Sequence, residues 1–302
     1  MSGPVADPAA IVRGMPRTAI VTDSTASLPA ELAAQHDIAV VPLQVVIGAA
    51  SYDEGTEATP AMVAAALRDY TPVSTSRPNP AAMAAFHQRL VDEGAEAIVA
   101  VHLSGEMSGT FDSASVAARE ATVPVHLVDT RQVGPATGYA ALAAADVLES
   151  GGSAEEAAEA ALERAAAATS LFYVDTLEYL RRGGRVGAAA ALFGGALAVK
   201  PLLRIADGSI ESFEKVRTAS RALTRLADLV VEAAGDQPVE VTVAHLASPE
   251  RAEHLAAALG ERVELAAPVR TAELGAVLGA HVGPGMVAAC VVPALPARSE
   301  RA

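Results

Sequence analysis

The sequence predicts an α/β protein of two domains, and three observations lead there. Over the first half of the chain, short runs rich in Val, Ile and Ala alternate with longer helix-like segments, the pattern of a mostly parallel sheet with helices on its faces. Near residue 168 the texture changes to two strands joined by an Asp-Gly turn, after which helices and strands alternate again. The length of 302 residues accommodates one or two cores of useful size. The expectation is an N-terminal parallel-sheet, Rossmann-like α/β/α domain followed by a C-terminal α/β domain with a mixed sheet.

The elements follow in order. TAIVTD (18–23), DIAVVPLQVVIG (37–48), EAIVAVHL (96–103) and VPVHLVD (123–129) read as strands, and 29–35, 60–70, 80–93, 108–120 and 134–149 as helices. SAEEAAEAALERAAAA (153–168) is a strong helix with Ser153 as its N-cap. SLFYVDTLEYLRRGGRVG (170–187) runs from a strand through a short helix into a Gly-Arg turn, and AVKPLLRIADGSIESFEKVRT (198–218) reads as a hairpin. Helices at 219–234, 249–260 and 271–280 alternate with strands at 239–246 and 262–267, and MVAACVVP closes the pattern after the tight turn HVGPG. The expected divisions are a disordered extension over 1–16, an N-terminal domain over 17–168, a C-terminal domain over 169–295 and a tail over 296–302.

Composition narrows the function. A formal net charge of −14 repels nucleic acid phosphates and leaves no broad basic face for anionic membranes. The lone Cys290 lies in an apolar run, which excludes an internal disulfide or a Cys-rich zinc site and reads as a small core residue. The first 16 residues lack a signal peptide's apolar core, and the longest apolar stretch, 186–199, is too short and glycine-rich to span a bilayer. A cytoplasmic location is the default expectation.

HLSGEMSGTFDSA (102–114) has hydroxyls and glycines but no Lys or Arg. It therefore fails the phosphate-loop motif, which needs a Lys. Gly105-Glu106-Met107-Ser108-Gly109 does not fit a nucleophile elbow. GPGMVA (283–288) matches a dinucleotide fingerprint in letters only, because it precedes a strand near the end of the chain. What remains is a loop after a strand that enters a helix near Ser108. Backbone N–H groups there bind an anion without a cation, and Ser108, Gly109 and Thr110 would form that cradle; a plain Ser N-cap is the alternative.

Further pieces point the same way. VSTSRPNP (73–80) offers Thr75 and Ser76 in a loop stiffened by Pro78 and Pro80, unless it is only a turn capped by Asn79. Asp23, Ser24 and Thr25 sit at the end of the first strand, where ligands collect in such sheets, although an Asp helix cap fits equally. His281 in HVGPG could donate to an anion or be a satisfied surface histidine. Arg185 in GGRVG and Arg217 in EKVRT each read, alone, as surface charges.

Taken together these stretches resemble the DegV family of bacterial fatty-acid-binding proteins. The matching segments are VTDSTASLP (21–29), VVPLQVVIG (40–48), SYDEG (51–55), TSRPNP (75–80), LSGEMSGTFDSA (103–114), VDTLEYLRRGGRVG (174–187), KPLLRIADGSI (200–210), KVRT (215–218) and HVGPGM (281–286). They occur in order from about residue 18 to 293. The resemblance implies one long-chain fatty acid buried in a tunnel, a C-terminal lipid-binding domain, and no other cofactor. It implies that Thr75 and Ser108 hold the carboxylate, with His281 and Arg217 at or linked to the head-group site. It further implies a partner, a fatty acid kinase with a dihydroxyacetone-kinase-like domain. That kinase makes acyl phosphate for phospholipid synthesis, and a transient membrane contact is compatible with the role.

The chain departs from the family pattern at Arg77, where Gln is common, at Asn79, where Ser is common, in reading MSGTF for the LSGTY-like stretch, and at Met286, where the GPGT-like turn has a hydroxyl. These changes leave the carboxylate site intact and ligand choice open. Neutral donors suit a group that must react, because an Arg clamp would oppose attack of the carboxylate on a phosphoryl donor. Residues 186–199 would line the tunnel or serve as plain helix core. Two rival readings remain at this level: a serine-dependent acyl hydrolase or transferase using Ser108 and His281, and a carrier of another apolar anion.

Overall fold

The computed structural model describes residues 17–192 and 200–295. The expectations for 1–16, 296–302 and most of the supposed tunnel wall at 193–199 lie outside them. In chain order the first half contains β1 (Thr18–Asp23), α1 (Ala30–Gln35), β2 (Ile38–Val41), β3 (Gln44–Ile47), β4 (Ala50–Asp53), α2 (Pro60–Arg68), β5 (Val73–Ser76), α3 (Pro80–Asp92), β6 (Ala97–His102), α4 (Thr110–Glu120), β7 (Val125–Asp129), α5 (Pro135–Glu149) and α6 (Ala154–Ala166). The second half contains β8 (Thr169–Tyr173), α7 (Glu178–Arg182), β9 (Lys200–Ala206), β10 (Ser209–Val216), α8 (Ala219–Ala234), β11 (Val239–His245), α9 (Pro249–Gly260), β12 (Arg270–Glu273), α10 (Ala276–Val282) and β13 (Val287–Pro293).

The first sheet runs β2-β1-β6-β7, all parallel. Side chains alternate across it. Ile20, Val99 and Val101 pack under α5 and α6, while Val21, Ile98 and Ala100 pack under α3 and α4. Each such buried aliphatic contributes roughly 1.5–3 kcal/mol. Strand order reverses between β1 and β6, so their C-terminal ends, at Asp23 and His102, flank the topological switch point where ligands bind in open α/β sheets.

The second sheet runs β10-β9-β8-β13-β11-β12 and is mixed: β11 and β12 are parallel, the other neighbours antiparallel. Its outer face carries Leu171, Val241, Val243, Ala289 and Val291 against α8 and α9. The alternate residues, among them Phe172, Ala244 and Ala288, face inward with Leu203, Ile205 and Leu274. The fold is thus α/β with one parallel and one mixed sheet, in two domains as the sequence predicts.

Three expectations change. The run 37–48 is two strands, because Pro42 has no N–H to continue a ladder; β3 leaves the parallel sheet and forms a separate antiparallel sheet, β4-β3-β5. Residues 73–76, expected as loop, are β5 on the edge of that small sheet. Residues 262–267 make only an isolated bridge between Leu265 and Val239. The strand lies instead at Arg270–Glu273, and the last helix begins only after Gly275.

Candidate functional site

Between the inner face of the mixed sheet and the loops beyond the C-terminal ends of the parallel strands lies a cavity of about 490 Å³, a size common for small-molecule sites. The N-terminal half supplies Leu43, Leu103 and Met107 to its wall, and the C-terminal half supplies Phe172, Ile205 and Ala288. Hydroxyl groups gather at one end, where Thr75, Ser76, Ser108 and His281 meet.

Thr75 faces inward because β5 alternates half-buried and exposed positions. Its Oγ1 lies 2.9 Å from Nε2 of His281. His281 stands in the last turn of α10, which packs through Val277 and Ala280 against Leu43 and Val45 at the small sheet and against Val63 of α2. The opposite end of α10 is pinned by Glu54, whose Oε1 accepts from the N–H of Val277 at 2.7 Å. Burial raises the Glu54 carboxyl above its ordinary range. Gly183 lets the imidazole approach: a Cβ there would run into Nδ1 of His281.

The His281 ring is pushed down to about 4, chiefly by burial and secondly by the Arg185 guanidinium. It is therefore neutral at pH 7. Its Nδ1 is buried without a hydrogen-bond partner among the described residues. A proton on Nδ1 would be an unsatisfied buried donor, a rare arrangement, so the proton belongs on Nε2. His281 then donates to Thr75, and the Thr75 hydroxyl is free to donate into the cavity.

Ser108 sits in the turn between β6 and α4. Its N–H donates to Ser104 O at 3.1 Å, and its Oγ lies 2.9 Å from Oγ1 of Thr110. The helix starts at Thr110 with Gly109 as the N-cap residue, two residues later than expected. The first amides of α4 lack intrahelical acceptors by geometry. Gly109 also accommodates Arg77, whose guanidinium occupies the space a Cβ at 109 would take. Arg185 donates from Nε to Met107 O at 3.0 Å and from Nη1 to Gly183 O at 2.7 Å, joining the Ser108 turn to the Gly-Arg turn.

Of the residues singled out in the sequence, Thr25, Thr75, Ser76, Ser108, Gly109, Arg185 and His281 line this cavity. Four do not. Asp23 is fully buried with both oxygens engaged: Oδ1 accepts from the N–H and hydroxyl of Thr25, and Oδ2 accepts from Leu103 N and faces His102 Nδ1. Ser24 Oγ accepts from Leu43 N. Thr110 is buried behind Ser108 and steadies its hydroxyl. Arg217 is exposed just past β10, away from the cavity wall. Of the stretch at 186–199, Val186 and Ala189 pack in the inner core of the mixed sheet.

Of the three residues read at the end of the first strand, it is Thr25, not Asp23 or Ser24, that reaches the cavity. Sequence reasoning missed the far wall, where Ser170, Thr242 and Cys290 meet, because those polar residues sit singly inside strands. Burial pushes the Cys290 thiol up to about 12, so it is an inert wall residue.

Comparison with known proteins gives the family and the fold. The sequence profile described as "Uncharacterised protein, DegV family" matches residues 17–294. A DegV domain-containing protein of Streptomyces coelicolor is 54% identical over 273 residues, 90% of this chain and 97% of its own length. Protein DegV of Bacillus subtilis is 33% identical, covering 90% of this chain and 98% of its own. Among solved structures, a DegV family protein from Thermus thermophilus, described for its fatty acid binding, superposes with a TM-score of 0.87 at 30% identity, over 92% of this chain and all of the other. DegV of Bacillus subtilis, described as a fatty acid binding protein, superposes at 0.84 with 32% identity over 92% of this chain and 99% of its own. With sequence and fold in accord over nearly the whole chain, the chain belongs to the DegV family.

Proposed function

We propose that this chain is a carrier that binds one long-chain fatty acid, acyl chain in the cavity and carboxylate at the hydroxyl end. The observation that carries the reading is the cavity's polarity: an apolar interior against the mixed sheet, with Thr75, Ser108 and a neutral His281 on its wall. Fatty acid binding by the Thermus and Bacillus relatives supports it. Burial of about 14 methylenes at roughly 0.8 kcal/mol each gives on the order of 11 kcal/mol before the costs of association.

The same reading extends to presentation of the acid to a fatty acid kinase with a dihydroxyacetone-kinase-like domain, which forms acyl phosphate for phospholipid synthesis. Hydroxyl donors grip a carboxylate or an acyl phosphate alike, and the missing phosphate-loop Lys leaves the chemistry to the partner. The setting is cytoplasmic, with at most a transient membrane contact; no helix among the described residues is long and apolar enough to cross a membrane. The acyl-transfer alternative has less support. The ring nitrogen of His281 that makes a contact faces Thr75 rather than Ser108, and no carboxylate orients the other among the described residues.

Native and denaturing mass spectrometry of the protein as purified tests the carrier reading: a fatty acid mass present in the first and lost in the second supports it. The double substitution Thr75→Ala and Ser108→Ala should weaken fatty acid binding at least about tenfold, since hydrogen bonds to a charged group contribute about 1.5–3 kcal/mol each. Unchanged binding by the folded double variant would show that the head group lies elsewhere.

A further inference from the structure

The far end of the cavity is walled by Ser170, Thr242 and Cys290. These polar residues are committed to their neighbours. Ser170 Oγ donates to Gln132 Oε1 at 3.0 Å, and Thr242 Oγ1 lies 2.9 Å from the Tyr139 hydroxyl. The Ser170 proton is spent on Gln132 and Thr242 is tied to Tyr139, with no His, Lys or Arg among the described residues beside them on this wall, which marks it as the tail end. Cys290 belongs at once to the cavity wall and to a small cluster with Ala136, Tyr139, Ala168 and Val292. Behind that cluster lies a second hollow of about 120 Å³, bounded by Tyr139 with Leu28, Leu142 and Arg270. Pro135 and Thr242 line both spaces. Tyr139 stands at the partition and is fixed in place: Arg164 and Arg270 lie 5.3 and 4.9 Å from its ring centroid, a cation on each contact.

We propose that Tyr139, held by its hydrogen bond to Thr242, is the gauge of acyl-chain length: it closes the tail end of the cavity and shuts off a hollow that would admit longer chains. The inference rests on the fatty-acid carrier reading and goes beyond it by naming the residue that sets ligand size. A chain that reaches Cys290 meets the Tyr139 cluster. To extend further it must displace a ring braced by two guanidiniums and a buried hydrogen bond. Removing the ring joins the hollow to the cavity, whereas adding bulk at Cys290 raises the floor.

The test is native mass spectrometry after loading from an equimolar mixture of even-numbered saturated fatty acids. Wild type defines the preferred length. Tyr139→Leu should shift the bound mass upward by one or more two-carbon units, with acids too long for wild type becoming the main species. Cys290→Leu should shift it downward by the same step. A folded Tyr139→Leu protein with the wild-type length profile overturns the gauge. If Tyr139→Leu does not fold, Cys290→Leu decides: a shorter profile upholds the gauge, and an unchanged one overturns it. A wild-type protein that takes up none of the acids overturns the carrier reading itself, an outcome distinct from normal uptake with an unaltered length profile.

Discussion

His87 shows what a buried imidazole costs. It faces the parallel sheet from α3, is 1% exposed, and neither ring nitrogen has a hydrogen-bond partner among the described residues. Burial, then the nearby His102, pushes it down to about 4. In the unfolded chain a His takes its proton near 6.5. Between about pH 6.5 and 4 the unfolded state therefore binds more protons, and stability falls as pH falls through that window. The effect is on the order of 3 kcal/mol when complete, at about 1.4 kcal/mol per pH unit. His87→Leu should leave stability at pH 7 unchanged or higher and flatten the decline between pH 6.5 and 4. Urea unfolding at pH 7 and pH 5 measures this; an equally steep decline in the variant would mean that other groups, His281 among them, carry the acid sensitivity. At this scale the sequence was readable where chemistry is local. The Pro-flanked Thr75, the Gly-flanked Ser108 and the Gly-Pro-flanked His281 stand out in the letters and line the cavity. Asp23 stood out equally, yet its partners His102 and Leu103 lie some eighty residues away. Nothing in a strand-end Asp distinguishes a ligand contact from a buried brace.

Elements whose pattern was strong and local were placed almost residue for residue, such as α8 and α9. The small sheet was not, because β4 and β5 carry ASYD and VSTS, with too few apolar residues to show a strand period. They pair only because β3 leaves the parallel sheet at Pro42, a tertiary event. That sheet then serves as the platform for α10, and Glu54 at its edge holds the helix start. The position of His281 thus depends on three elements from distant parts of the chain. Gly183 is the simplest place to test this dependence. Gly183→Ala puts a Cβ where Nδ1 of His281 lies, so the imidazole must turn away from Thr75. The expected result is a loss of fatty acid affinity of about tenfold, one lost hydrogen bond to the relay, with the cavity and the circular dichroism spectrum retained. Calorimetric titration measures the affinity. Unaltered affinity in a folded variant would separate His281 from head-group binding.

The mixed sheet and the loops beyond the parallel strands face one cavity, so the cavity wall is shared between the two halves. The halves also meet directly. Arg164 on α6, 5% exposed, bonds Glu240 on β11 and the Pro293 carbonyl on β13, and Ser104 donates to Gly208 O at 2.7 Å. A ligand held on one side by Thr75, Ser108 and Leu103 and on the other by Phe172, Ala288 and His281 adds a further tie between them. Anything that binds only the folded state stabilises it by mass action, about 2.7 kcal/mol at a hundredfold excess over the dissociation constant. On the carrier reading, adding a fatty acid to lipid-free protein should therefore raise the melting temperature, and removing it should lower it again. The distribution of the effect is the sharper measurement. A ligand that bridges both halves should slow amide exchange at the turn between β6 and α4 and also along α10 and the inner edge of β13, in one concerted step. The paired hydrogen bonds of the outer strand β12 should change little, since none of Arg270–Glu273 lines the cavity. Protection confined to one half would mean that the ligand sits on that half alone and that the shared wall is not its site.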